Sequence, residues 1–175
     1  VMAKLGMGRL DLVLLAMPWD CADNEILPLW RDPFMLVMPH DHPLAQLPVV
    51  PVRNIVRERM ILLEDGHCLR DQTLAMCRQV RGWTQPVDEA ECAVTSLHTM
   101  VEMVAAGMGL ALLPQLAVDS PLLDGQNLAV RPVTGAQTWR TIGLAWRPRS
   151  PRTADFHTIA PFFVPDSITQ ANSLL

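Results

Sequence analysis

Apolar residues in this chain fall into short runs, separated by segments of helical spacing. Leu10-Asp11-Leu12-Val13-Leu14-Leu15-Ala16-Met17, ended by Pro18, predicts a strand buried on both faces. Ile26 to Trp30 and Phe34 to Met38 predict two more strands, parted by a turn at Arg31-Asp32-Pro33. Pro39-His40-Asp41-His42-Pro43 reads as a surface turn rather than a histidine metal site. Met60 to Leu63 predicts a strand that runs into a loop from Glu64 to Asp71. From Asp71 onward Leu74, Cys77 and Val80 or Arg81 recur at helical spacing until Gly82.

The second half repeats the alternation. Glu89 to Val94 predicts a strand, and Thr95 or Ser96 can cap a helix from Leu97 to Ala106 that stops at Gly107. Leu110 to Leu113, Leu128 to Val133 and Thr141 to Trp146 predict strands, and Asp155 to Phe163 a last helix. Met100, Met103 and Met108 are expected in the core around the Leu97 helix. Val1 to Met7 has the pattern of the end of a helix. Strands alternating with helices predict an α/β fold with a largely parallel sheet.

Composition narrows the function. The chain has 175 residues, 50% hydrophobic and 18% charged, enough to bury a core as one domain or two small lobes. A net charge of −4 and a single lysine, Lys4, argue against nucleic-acid binding by this chain itself. No apolar run approaches the ~20 residues of a membrane helix, so no membrane partner is expected. Val1-Met2-Ala3-Lys4 lacks a secretory core, which makes a reducing cytoplasm the expected setting. Four cysteines are too few for a disulfide scaffold of this size.

The chemistry concentrates in Gly66-His67-Cys68-Leu69-Arg70-Asp71-Gln72, with Cys77 nine positions after Cys68. An imidazole and a guanidinium flank the Cys68 thiol, and positive neighbours favour the reactive thiolate. A sulfenic acid formed there is open to capture by a nearby second thiol. With Cys68 in the loop and Cys77 in the following helix, the thiols stand roughly 10 Å or more apart. A disulfide needs Cα atoms within about 4.4–6.8 Å, so joining them requires the helix to unwind. The competing reading is a pair of inert, buried thiols, the common fate of free cysteine. Zinc fits poorly, because His67 and Cys68 are adjacent and no close Cys pair exists; no metal and no cofactor are expected. Cys21 reads as an exposed bystander and Cys92 as core. No Gly-x-Ser-x-Gly element or glycine-rich phosphate loop is present.

Several segments together resemble the effector-sensing domain of LysR-type transcriptional regulators. They are Met103-Val104-Ala105-Ala106-Gly107-Met108-Gly109-Leu110-Ala111-Leu112-Leu113-Pro114 and Asp41-His42-Pro43-Leu44-Ala45. Leu62 to Gln72, Thr95-Ser96-Leu97 and Arg140-Thr141-Ile142-Gly143-Leu144 narrow the resemblance to the peroxide-sensing members. It implies a two-lobed fold of the type II periplasmic-binding-protein kind, with lobe I incomplete and formed by residues 1–31 and 141–175. Lobe II would span residues 32–140. It further implies that Cys68 is the peroxide-reactive thiol, Cys77 the resolving thiol, and that His67, Arg70, Asp71, Thr95, Ser96 and Arg140 line the peroxide pocket. Hydrogen peroxide would be the signal, and reductants of the glutaredoxin or thioredoxin type would reset it. In the family a winged helix-turn-helix, a linker helix and the opening of lobe I come first. DNA, RNA polymerase and the homo-oligomer are therefore expected only of the full-length protein. The alternatives are a thiol peroxidase and a LysR-like small-molecule module without redox function. Both are weighed against a regulatory domain that is not an enzyme.

Overall fold

The computed structural model describes residues 1–17, 23–65, 68–80 and 93–165. The chain divides into two compact units, Val1–Arg31 with Arg140–Leu175, and Asp32–Trp139. Among the described residues no helix is long and apolar enough to cross a membrane.

The first unit is built on β1 (Leu12–Met17), the opening of β2 (Glu25–Pro39) and β8 (Trp139–Trp146). β1 and β8 pair antiparallel from Leu12 opposite Trp146 to Met17 opposite Thr141, and β8 lies between β1 and β2. Gly143 allows that close approach, since a Cβ there would stand 2.8 Å from the Leu27 carbonyl oxygen. Trp146, Leu144 and Phe156 form the core with α6 (Thr153–Ile159), and the Trp146 and Phe156 rings lie 5.5 Å apart. The Trp146 indole N–H donates to Glu25 at 3.1 Å. A short helix, α1 (Met2–Gly6), is pinned where the Arg147 guanidinium donates to the Leu5 and Leu10 carbonyls. β1 was expected to be buried on both faces, but Leu14 is 46% exposed while its neighbour Val13 is buried. Successive strand residues point to opposite faces, and both meet apolar clusters: Leu12 packs with Leu144, Trp146 and Phe156, and Val13 and Leu15 with Leu5 and Ala145, so only Leu14 departs from the expected burial.

In the second unit the later half of β2 pairs antiparallel with β6 (Ala111–Pro114) and with β7 (Leu128–Thr134). β3 (Val50–Pro51) runs parallel to β7 and leads into α2 (Val52–Ile55). A separate parallel pair, β4 (Leu62–Leu63) and β5 (Ala93–Val94), carries the two main helices, α3 (Cys68–Arg78) and α4 (Leu97–Ala105). Phe34, Leu36, Val37, Met38, Ile55 and Leu113 fill the core between them.

Several expectations change. Arg31-Asp32-Pro33 is not a turn: β2 runs unbroken through it for 15 residues. Asp32 is fully buried, and its carboxylate accepts the backbone N–H of Leu116 at 3.1 Å, in the short helix α5 (Gln115–Val118). That bond repays the burial of a polar side chain within a strand. The pairing is mixed rather than largely parallel, because β8 and β7 return antiparallel beside earlier strands. The last helix ends at Ile159, and a 3-10 turn carrying Pro161 follows. Met100 is buried and Met103 packs on the core, but Met108 is 45% exposed beyond the helix end. The predicted strand from Glu89 is described only from Ala93.

Two glycines close α4 onto the sheet. Gly107 takes φ +73° just past the helix, as expected of a left-handed terminal residue. At Gly109, φ +157°, a Cβ would stand 2.7 Å from the Arg59 carbonyl oxygen, which accepts the Leu110 N–H at 2.8 Å. Substitution Gly109→Ala is therefore expected to cost about 2 kcal/mol or more, read as a lower urea midpoint at unchanged m-value.

Candidate thiol site

The site grows from the parallel pair of β4 and β5. Leu63 stands opposite Val94, and the Glu64 N–H donates to the Val94 carbonyl at 3.0 Å, so both strands end side by side. α3 and α4 start just beyond those ends, which is where α/β sheets place ligands. Ser96 caps α4: its hydroxyl accepts the Thr99 N–H at 3.1 Å and stands 3.0 Å from the Thr99 hydroxyl. Thr95, next to it, is exposed.

Cys68 was expected in the loop before the helix; it is instead the first residue of α3, so the helix begins three residues earlier and ends at Arg78 rather than near Gly82. Asp71 falls in the first turn, where a carboxylate complements the helix dipole. Leu69, Thr73, Leu74, Met76 and Cys77 are the buried residues of α3. At 100° and 1.5 Å per residue, nine residues rotate the chain by about 180° net and advance it by about 13 Å. Cys77 is 1% exposed in the core while Cys68, on the opposite face, is partly open. Both are free thiols.

Burial pushes the Cys77 thiol up from its ordinary 9.0 to about 11, so it is held protonated and withdrawn. Arg70 fastens the start of α3: its Nε lies 2.8 Å from Asp65, and its Nη1 donates to the Leu63 carbonyl at 3.1 Å. The Arg70 side chain is only 10% exposed, so this charge is bound to the end of β4.

Gln72 was not singled out from the sequence. It follows Cys68 by four residues, hence on the same helix face. Both polar atoms of its carboxamide are shut away from solvent with no partner among the described residues. Leaving such a group unmade costs about 1–3 kcal/mol, so Gln72 presents a donor and an acceptor beside Cys68 at a real cost to stability. The only hint in sequence is a glutamine at the edge of an apolar helix stripe.

His67, Cys21 and Cys92 lie outside the described residues. Arg140 sits on β8 in the first unit, whereas Cys68, Arg70, Asp71, Gln72, Thr95 and Ser96 all belong to the second. Among the described residues no cluster of His, Cys, Asp and Glu could hold a metal ion. His42 serves as a turn residue, its Nδ1 accepting the Leu44 N–H at 3.2 Å and its Nε2 lying 3.6 Å from Glu58.

The Cys77 thiol makes stability depend on alkaline pH. In the unfolded chain it loses its proton near 9.0, and in the folded chain only near 11. The unfolded state thus binds fewer protons between those values, and stability falls as pH rises, by at most about 1.4 kcal/mol per unit. Urea titrations at pH 8, 9, 10 and 11 are expected to show this slope in the wild type and its loss in Cys77→Ala.

The family of the LysR substrate binding domain matches residues 1–164. The Escherichia coli K12 protein described as the DNA-binding transcriptional dual regulator OxyR is 36% identical over 91% of this chain and 51% of its own length. The chain thus spans about half the length of the curated relatives it matches. The reduced regulatory domain of OxyR2 from Vibrio vulnificus is 36% identical, with a TM-score of 0.76 over 91% of this chain and 73% of that one. A hydrogen-peroxide-bound cysteine-to-serine mutant of Corynebacterium glutamicum OxyR is 30% identical, with a TM-score of 0.78 over 91% of this chain and 49% of that one. With its mixed α/β sheet and a thiol at the head of α3, the chain belongs to the LysR substrate-binding domain family and groups there with the OxyR regulatory domains.

Proposed function

We propose that this chain is the redox-sensing part of a LysR-type transcription regulator that responds to hydrogen peroxide through Cys68 and Cys77. The observation that carries the reading is the placement of two free thiols on opposite faces of one helix, one partly open and one buried. The peroxide held by the Corynebacterium glutamicum relative supports the same signal.

The Cys68 thiolate attacks one peroxide oxygen and the O–O bond breaks. The departing hydroxide takes up a proton to become water, and Cys68 is left as a sulfenic acid. The Cys77 sulfur, losing its proton, then attacks the Cys68 sulfur; an S–S bond forms, the S–O bond breaks and a second water leaves. Gln72, whose donor and acceptor have no partner among the described residues, orients the peroxide, with Thr95, Ser96, His67, Arg70 and Asp71 as further candidates for the pocket. Donors aimed at the leaving oxygen stabilise its developing charge. The second step cannot occur on an intact α3, because about 13 Å of helix must collapse to disulfide range. The helix is thus a two-state element biased by oxidation. Thiol reductants of the glutaredoxin or thioredoxin type reverse the bond by exchange. Contacts with DNA and RNA polymerase, and a homo-oligomer, belong to the longer protein, working in a reducing cytoplasm.

One equivalent of peroxide is expected to remove two hydrogens from the intact mass and to link the peptides of Cys68 and Cys77. Cys68→Ser is expected to abolish the reaction, and a normal disulfide yield in that variant would sink the assignment. Cys77→Ser is expected to hold a sulfenic acid at Cys68 that dimedone traps. Sustained peroxide consumption with a reductant, many equivalents per chain, would point to a peroxidase instead. Gln72→Leu is expected to slow Cys68 oxidation by at least about tenfold in stopped flow while the fold is kept.

A further inference from the structure

The end of α3 is tied to the turn that feeds the crossing between the two units. Gln79, two residues after Cys77, donates its amide N–H to the Gln137 side-chain oxygen at 3.0 Å. Gln137 is held at φ +52°, a left-handed backbone unusual for any residue but glycine. The same turn touches α2, since a Cβ on Gly135 would stand 3.1 Å from Val52. Immediately after it, the Thr138 carbonyl accepts the Phe34 N–H at 2.9 Å. Phe34 and Thr138 lie next to the only two places where the chain passes from one unit to the other, Arg31–Asp32 and Trp139–Arg140.

We propose that the Gly135–Thr138 turn is a relay that reads the state of α3 through the Gln79–Gln137 bond and passes it to both crossing strands. This rests on the disulfide reading above. Drawing Cys77 toward Cys68 displaces Gln79, which is only two residues away, and the amide pair separates. Gln137 is then free to leave its left-handed conformation, and the Thr138–Phe34 bond loses its support on one side. Cys77 itself is too buried to signal to any partner directly; the exposed amide pair gives its displacement an outlet.

The test is hydrogen exchange read by mass spectrometry on the full chain, reduced and after one equivalent of peroxide, following peptides that contain Phe34 and residues 138–142. The disulfide is mapped in the same samples. In the wild type, oxidation is expected to speed exchange at these amides by roughly fivefold, as for the loss of one hydrogen bond. Gln79→Ala is expected to bring the reduced protein most of the way to that rate, and its Cys68–Cys77 disulfide is expected to form normally. A mapped disulfide with no change in exchange at Phe34 and 138–142 overturns the relay and leaves the redox reading standing. Equal rates in reduced wild type and reduced Gln79→Ala overturn the amide latch. If no disulfide forms in the wild type, both readings fall together.

Discussion

A continuous α-helix and a bond between residues nine apart cannot coexist. The helix separates the two sulfur-bearing residues in height and in direction at once, one toward the core and one away from it. The backbone hydrogen bonds of α3, the burial of Leu69, Thr73, Leu74 and Met76, and the fastening of its first turn by Arg70 all favour the separated state. Joining the sulfurs must overcome these together, so the change is cooperative rather than gradual.

The surrounding architecture serves that one helix. β4 and β5 are only two residues each, yet their parallel register brings two helix starts to a common edge. The Met60–Leu110 bridge and the tight passage at Gly109 fix the same edge from its other side. Arg131, donating to the carbonyls of Ala45, Leu47 and Val130, holds the loop after β2 against β7. The Cys68 end of α3 thus starts beside two strand ends whose backbone groups are already paired.

Local chemistry was legible in the sequence, and long-range pairing was not. The cap at Ser96, the left-handed Gly107 and the apolar run of β6 depend on neighbours a few residues away, and the structure has each of them. The continuity of β2 depends on Asp32 meeting the N–H of Leu116, 84 positions on, and composition pointed to a turn. The antiparallel return of β8 beside β1 joins segments from opposite ends of the described chain. The start of α3 escaped because Gly66-His67 carries no Ser, Thr, Asp or Asn to announce a cap. The thiol pair was singled out by the residues flanking Cys68 and by the spacing to Cys77, whereas the buried carboxamide of Gln72 had no comparable signal in the sequence.

In the proposed redox cycle, the burial of Cys77 would also make the two directions unequal in the size of what can act. In the reduced chain Cys68 is partly open and the Cys77 sulfur is buried. A Cys68–Cys77 disulfide, as proposed, would break the helix and leave the bond in loosened backbone that a whole protein could grip. On that proposal, writing would be reserved for an oxidant of a few atoms and erasing open to a macromolecule, so the record would outlast the oxidant that made it.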